Sequence, residues 1–276
     1  MVTRRLDVRG VQLAVAEAGA GLPKHLLLMH GFAGAKEDFS EWLEPLADAG
    51  WHAVTFDQRG HGQSAHPKGE EHYSLEVLTD DVQAVVDELQ WDRFVLLGHS
   101  MGGMVAQRYA IGSPERLAAL ILMGTSHTRP DGIDEGLVSL GHQIVRAGGM
   151  AALLEAQKHL DQDPLDPEAH RRLLATRPDY AEFCDRKTLA ASEDMWLALS
   201  AEIVRQPDRL PALKALSLPA LVIVGGSDEI FLEQSTALAR AIPDAVLAVI
   251  GHAGHSPQFE RPEEWWAVLS AFLGGL

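Results

Sequence analysis

The run Phe94-Val-Leu-Leu-Gly98-His99-Ser100-Met101-Gly102-Gly103 constrains this chain more tightly than any other stretch. Its four apolar residues read as a buried strand, Gly-x-Ser-x-Gly as a sharp turn, and residues 104–111 as a helix. A serine at the tip of such a turn points its hydroxyl out of the sheet edge, while the flanking glycines let strand and helix backbones pass closely. The helix N-terminus aims unpaired N–H groups and a positive dipole end at the same point. A strand feeding a helix in this way belongs in a sheet covered on both faces, and the rest of the chain agrees. Apolar runs at 26–29, 53–56, 117–123, 220–224 and 246–250 lack polar alternation, as doubly buried parallel strands do. Residues 2–8 and 11–17 flank Arg9-Gly10 and read as an opening hairpin. Between the strands lie helical stretches. In residues 75–89, Leu75, Leu78, Val82, Val85, Val86 and Leu89 share one face. Residues 262–273 open on Pro262 and close before Gly274-Gly275.

The alternation breaks between residues 127 and 210. That stretch has no strand-like run and shows helical spacing at Leu137, Leu140, Ile144 and Val145, then at Leu153, Leu154 and Leu160, punctuated by Pro164, Pro167 and Pro178. It is too long for a loop in a compact domain, so it is expected to have structure of its own above the sheet. The length, 276 residues, suits one α/β domain carrying such an insertion. The expected fold class is α/β: a mostly parallel sheet of roughly eight strands with helices on both faces and an inserted helical cap. Residues 1–126 and 211–276 would form the core, and residues 127–210 the cap or lid.

Three further segments bear on chemistry. Leu26-Leu-Leu-Met-His30-Gly31-Phe32 is a strand ending in His-Gly and a bulky residue. If Ser100 attacks a carbonyl, negative charge develops on its oxygen, and the N–H groups of Met101 and Phe32 are natural donors for an oxyanion hole. Alone, the segment reads better as a strand-end turn at Gly31 with Phe32 in the core. Ala220-Leu-Val-Ile-Val-Gly225-Gly226-Ser227-Asp228 places an acid at a strand's C-terminal end, where open α/β sheets hold their sites. Asp228 could otherwise form a turn or cap the following helix. Ile250-Gly-His252-Ala-Gly254-His255 again follows a strand, and its two histidines compete for one role. The order serine, acid, histidine, each at a strand end, gives these signals joint weight.

On these residues the chain resembles the α/β-hydrolase fold family along essentially its whole length. Phe56-Asp57-Gln58-Arg59-Gly60-His61-Gly62-Gln63-Ser64 is similar to the family's segment after the strand at 53–56. Gly254-His255 matches the family's catalytic histidine, which selects His255 over His252, and Asp228 matches its acid. The turn-rich context of Asp57 and Arg59 suits pinning their loop rather than touching substrate. The resemblance implies a serine hydrolase cleaving a carboxylic ester or lactone through Ser100, His255 and Asp228 and an acyl-enzyme. Family members that cleave epoxides or haloalkanes have aspartate at the position of Ser100, which disfavours both. Carbon–carbon hydrolases typically have Asn before the serine and an aromatic after the histidine. His99 and Ser256 stand there instead. That reading and a cofactor-free haloperoxidase or perhydrolase stay as alternatives, as does a small-molecule receptor on a hydrolase scaffold.

Composition narrows the partners. Lys plus Arg is 23 against 39 Asp plus Glu, a formal net charge of −16 that repels phosphate backbones and anionic lipid. The expected partner is a small-molecule substrate, not nucleic acid or membrane, and nothing in the sequence sets the oligomeric state. Among 13 histidines there is no His-Glu-x-x-His pair, and no phosphate or dinucleotide fingerprint, so no metal and no cofactor is implied. The single cysteine, Cys184, excludes an internal disulfide and reads as a packed or half-exposed thiol. No apolar run approaches the ~20 residues of a membrane span, and Asp7, Arg9 and Glu17 interrupt any export signal, so a cytoplasmic protein is expected. Within the cap, Ile144, Met195 and Trp196 are the candidates for the substrate pocket, although most apolar side chains there would serve the cap's own core.

Overall fold

The computed structural model describes residues 1–159 and 167–276. Its strands are β1 (Val2–Val8), β2 (Val11–Ala18), β3 (Lys24–Met29), β4 (Trp51–Phe56), β5 (Phe94–His99), β6 (Leu117–Met123), β7 (Ala220–Gly225) and β8 (Ala245–Ile250). They form one eight-stranded sheet in the order β1-β2-β4-β3-β5-β6-β7-β8. β2 runs antiparallel to β1 and β4, and the remaining neighbours are parallel. The opening hairpin turns on Arg9 and Gly10, at φ 55° and 77°. Both are left-handed, as a two-residue turn that matches strand twist requires.

Two short helices, α1 (Glu37–Ser40) and α2 (Leu43–Asp48), precede β4, and α3 (Leu75–Glu88) and α4 (Met101–Gly112) bracket β5. Ser74 caps α3 by accepting from the Val77 N–H. The expected apolar face of α3 is buried at Leu75, Leu78, Val82, Val85 and Val86. Among the described residues five helices separate β6 from β7: α5 (Glu135–Lys158), α6 (Pro167–Thr176), α7 (Tyr180–Leu189), α8 (Glu193–Ile203) and α9 (Leu210–Leu213). After β7 come α10 (Leu232–Ala241), α11 (Pro257–Glu260) and α12 (Pro262–Gly274), the last running one residue past its expected end. Val82, Val105 and Leu238 pack on one face of the sheet, and Phe39, Leu43 and Trp265 on the other.

The insertion is helical at its described residues, as its spacing predicts; Leu160 and Pro164 lie outside the described residues. α5 kinks at Gly149, where φ is 70°. It meets α8 where a Cβ on Gly141 would strike the Trp196 ring. By length and composition α5 is the one helix among the described residues apolar enough to span a bilayer, with 24 residues and a mean hydropathy of 1.2. It holds no unbroken apolar run of that length, because Glu135, His142, Gln143 and Arg146 interrupt it.

The last strand corrects an expectation. The apolar run at 246–250 predicts a strand buried on both faces, yet Val246 is 57% and Val249 50% exposed. A run of apolar residues identifies a strand without stating its place in the sheet, and β8 is an edge.

Candidate active site

Ser100 sits between the end of β5 and the start of α4 at φ 53° and ψ −119°, a conformation that L residues rarely adopt. Its neighbours explain how the turn closes. A Cβ on Gly98 would strike the Gly102 carbonyl, and one on Gly102 would meet the His30 and Met29 carbonyls. Both glycines are therefore required by backbone approach, as the motif predicts. The Ser100 N–H donates to the Met123 carbonyl at 2.9 Å, and the Thr125 hydroxyl donates to the Ser100 carbonyl at 2.7 Å. The end of β6 and the loop just after it thus hold the serine from both sides.

Asp228 and His255 meet at the same edge. His255 Nδ1 donates to Asp228 Oδ2 at 2.8 Å, which leaves Nε2 as the free basic nitrogen. Their two loops are knitted together: the Ser227 N–H donates to the Ala253 carbonyl, and a Cβ on Gly225 would collide with the Ala253 and Gly254 carbonyls. Phe231 stacks on the His255 ring with centroids 4.7 Å apart. His252, the rival, lies on an exposed turn at φ 59°, and its carbonyl accepts from Arg172. Asp228 is buried and its Oδ1 has no hydrogen-bond partner among the described residues.

Ser100 and His255 line one cavity of about 560 Å³, together with Phe32, Met101, Ile144 and Trp196. The Phe32 loop lies directly against the serine, since a Cβ on Gly31 would be 3.0 Å from Ser100 Cβ. Among the described residues neither the Phe32 nor the Met101 N–H has an internal acceptor. The loop is pinned from behind by His30, whose Nδ1–H donates to the Gly31 carbonyl while its Nε2 accepts from the Gln58 N–H. Burial lowers the affinity of His30 for a proton and suits this neutral tautomer. Asp57 accepts from the N–H groups of Lys36 and Gln63, and Arg59 grips Asp81 through two 2.5 Å bonds. Both residues pin loops, as their context predicts.

Met195 is a correction. It does not line the cavity but is fully buried, packed where a Cβ on Gly60 would meet its Cβ and Cγ. Met195 and Trp196 are consecutive on α8 and face about 100° apart; Trp196 looks into the cavity and Met195 into the core. Cys184 is half-buried beside Leu173, Tyr180 and Phe259, and burial pushes its thiol up, as for a packed cysteine.

Sequence reasoning missed three contributors to the cavity wall. Lys187 on α7 donates to Asp38 on α1 at 2.6 Å, an ion pair 149 positions apart that no local pattern announces. His99 donates from Nε2 to the His255 carbonyl at 2.8 Å, and burial, then the neighbouring His255, pushes its pKa down to about 3. It is therefore a neutral brace for the segment that carries His255. Its place next to the serine was a usable signal. Phe231, three residues after Asp228, was another. Among the described residues no group of three or more His, Cys, Asp or Glu side chains is placed to hold a metal ion.

Comparison with known proteins bears on this geometry. Residues 24–262 match the family described as the alpha/beta hydrolase fold. Epoxide hydrolase A of Mycobacterium tuberculosis is 27% identical over 315 residues, covering 99% of this chain and 97% of that protein. The 2-hydroxymuconate semialdehyde hydrolase of a Pseudomonas species is 29% identical, with 99% and 94% covered. A solved thermophilic esterase from Thermogutta terrifontis superposes with a TM-score of 0.82 at 28% identity, covering 100% of this chain and 99% of that one. These proteins differ in activity at similar distances, so the shared fold leaves the reaction to be argued from the site. On the match across residues 24–262 and on its sheet, the chain belongs to the alpha/beta hydrolase fold family, a family of hydrolases.

Proposed function

We propose that the protein is a serine hydrolase that cleaves a carboxylic ester or lactone through Ser100, His255 and Asp228. The observation that carries this reading is the 2.8 Å bond from His255 Nδ1 to buried Asp228, at the wall of the cavity that Ser100 enters. A pure binding protein has no need of a serine, a base and a buried acid in that relation. His255 Nε2 takes the Ser100 proton as Oγ bonds to the substrate carbonyl carbon. The Phe32 and Met101 N–H groups receive the resulting oxyanion, each worth ~3–4 kcal/mol to the transition state. Collapse breaks the carbon–oxygen bond, and His255 returns its proton to the leaving alcohol. Water, deprotonated by His255, then releases the acid and restores Ser100. A lactone yields one hydroxy acid instead of two products.

Residues 127–210 act in this reading as a cap over the core of residues 1–126 and 211–276. Ile144, Trp196 and Leu137 supply apolar wall, while Lys187 and Asp38 neutralise each other. Such a lining favours neutral, medium-sized apolar or aromatic esters or lactones over anionic ones. A carbon–carbon hydrolase reading draws support from the Pseudomonas relative, but His99 and Ser256 depart from the residues typical of that branch.

The test pairs a fluorophosphonate with Ser100→Ala. The parent should gain one phosphonyl adduct by intact mass and turn over p-nitrophenyl esters or lactones. The variant should do neither while melting at an unchanged temperature. Labelling of the variant, or an unlabelled parent, would place the chemistry elsewhere or favour the receptor reading.

A further inference from the structure

The cavity at Ser100 has two chemically different ends. The kink at Gly149 divides α5 into two arms. The first arm carries Leu137, Leu140 and Ile144 and packs on α8, where Trp196 lies with its ring 5.9 Å from that of Phe32. The polar side chains of that end are already engaged: Ser200 meets His142, and Asp134 caps α5. The second arm lies beside α7, to which Lys158 joins it through Asp185. This end holds Lys187 and Asp38. The loop of Phe32 connects the two, since a Cβ on Gly34 would lie 2.6 Å from Asp38 Oδ2. A substrate whose carbonyl sits at Ser100 is within reach of both ends.

Stability alone does not call for a charge pair in this wall, because well-packed apolar side chains of similar volume often serve a fold as well or better. Nor is the pair saturated. An ammonium can donate more than once, and a carboxylate can accept several times. Asp38 Oδ1 takes one Lys187 N–H at 2.6 Å, and Oδ2 takes the Ala35 N–H at 3.2 Å. Among the described residues Lys187 has no second hydrogen-bond acceptor, and its Nζ rests 4.3 Å from the centroid of the Phe183 ring. A donor and an acceptor therefore stand side by side on the cavity wall. One hydroxyl oxygen can satisfy both, accepting from the ammonium while donating to the carboxylate. An anion there is attracted by Lys187 and repelled by Asp38, and a cation the reverse. An alkyl group leaves both unmatched.

We propose that Lys187 and Asp38 form a polar subsite of this cavity that binds an uncharged hydroxyl on the substrate, so that the preferred substrate is a hydroxylated ester or lactone with its apolar part against α5 and α8. The cleaved bond rests on the hydrolase reading; the subsite rests on the cavity alone.

Matched esters test this, with a chain of fixed length ending in a hydroxyl, a methyl or a carboxylate. The varied chain is placed on the acyl side or on the alcohol side, several lengths are compared, and hydrolysis is followed by proton release. At the best length the parent should favour the hydroxyl over the methyl ester by about tenfold in kcat/KM, mainly through KM, and should accept the carboxylate poorly. A purely apolar cavity would favour the methyl ester instead. In the Lys187→Met, Asp38→Asn double variant the preference should vanish. Both esters meet the same folded molecules, so a merely structural role for the pair leaves their ratio unchanged. If the double variant does not fold, Asp38→Asn decides. Its ammonium lacks a counter-charge and should raise kcat/KM for the carboxylate ester about tenfold relative to the methyl ester. Calorimetric binding of the same esters to Ser100→Ala separates the two readings. If the parent cleaves no ester while Ser100→Ala keeps the preference for the hydroxyl, the hydrolase reading fails alone. Turnover without that preference, a preference that survives the double variant, an Asp38→Asn protein that gains nothing for the carboxylate, or a parent that takes the carboxylate ester first overturns the subsite.

Discussion

Ser100 holds φ 53° and ψ −119°, a backbone state that costs an L residue about 1–3 kcal/mol. The surroundings offset that cost: Met123 and Thr125 grip its amide and carbonyl, and the glycines on either side leave no room for another path. In the proposed mechanism Asp228 acts through a single bond to His255, and its effect is on which nitrogen carries the proton. Asp228→Asn keeps the shape of the side chain but donates where Asp228 accepts, and so favours the wrong imidazole tautomer. It should lower kcat by about 10⁴-fold with little change in melting temperature. A loss below tenfold in steady-state kinetics would remove Asp228 from the proposed mechanism. Local residue patterns made this part of the site legible: Gly98-His99-Ser100 and Gly225-Gly226-Ser227-Asp228 each follow a strand and fold within a few residues. The role of His99 was less legible, because its partner is a carbonyl 156 positions away.

At the scale of elements, the helical insertion is tied to the core by named contacts from two sides. On α8 and its cap, the Ser192 N–H donates to the Gly60 carbonyl, and Glu202 accepts from the Leu75 N–H at the start of α3. On α7, Lys187 reaches Asp38, with side chains 14% and 6% exposed. Burial pushes the Asp38 carboxyl up, and the Lys187 ammonium and His30 more than offset this, so its pKa lies below the usual value. Removing one partner strands the other charge in a poorly solvated place. Lys187→Met should therefore destabilise the protein by about 3–5 kcal/mol in chemical denaturation. Adding Asp38→Asn should recover much of that loss, and a double-mutant cycle showing purely additive effects would deny the coupling. Helical spacing announced the insertion itself. It could not say that Trp196 faces the cavity while Met195 faces the core, because that depends on how α8 is rotated against Gly60 and Gly141.

For the whole molecule, the buried imidazoles set the response to acid. Burial lowers the pKa values of His30 and His61, and that of His99 falls to about 3. Once unfolded, each would bind a proton near its ordinary value of 6.5. Between those values the unfolded state holds more protons than the folded one, so stability falls as pH falls. The contribution is fully present above pH 6.5 and is lost progressively below it, down to about 3 for His99. Asp38 adds to the loss below its unfolded value of 3.8. Melting temperatures recorded downward from neutral pH should decline from about 6.5, and replacing His61 by Phe should flatten part of that decline. A profile level through that range would show these imidazoles to be solvated.

The sequence by itself determined the elements and the kind of chemistry. Strand, turn and helix at Ser100, the hairpin at Arg9-Gly10 and the face of α3 all depend on residues within a turn or two of each other, where periodicity and backbone freedom decide the outcome. Tertiary structure alone decided what depends on position in the sheet and on meetings between distant segments. Val246, Leu247 and Val249 are exposed because nothing among the described residues follows β8 in the strand order, and an apolar run carries no record of its neighbours. Lys187 meets Asp38, and His99 meets the segment of His255, because packing folds the chain back over long separations. Hydrophobic burial has no direction and specifies that such segments come together. Which side chains then face one another is settled only by the geometry of the packed whole.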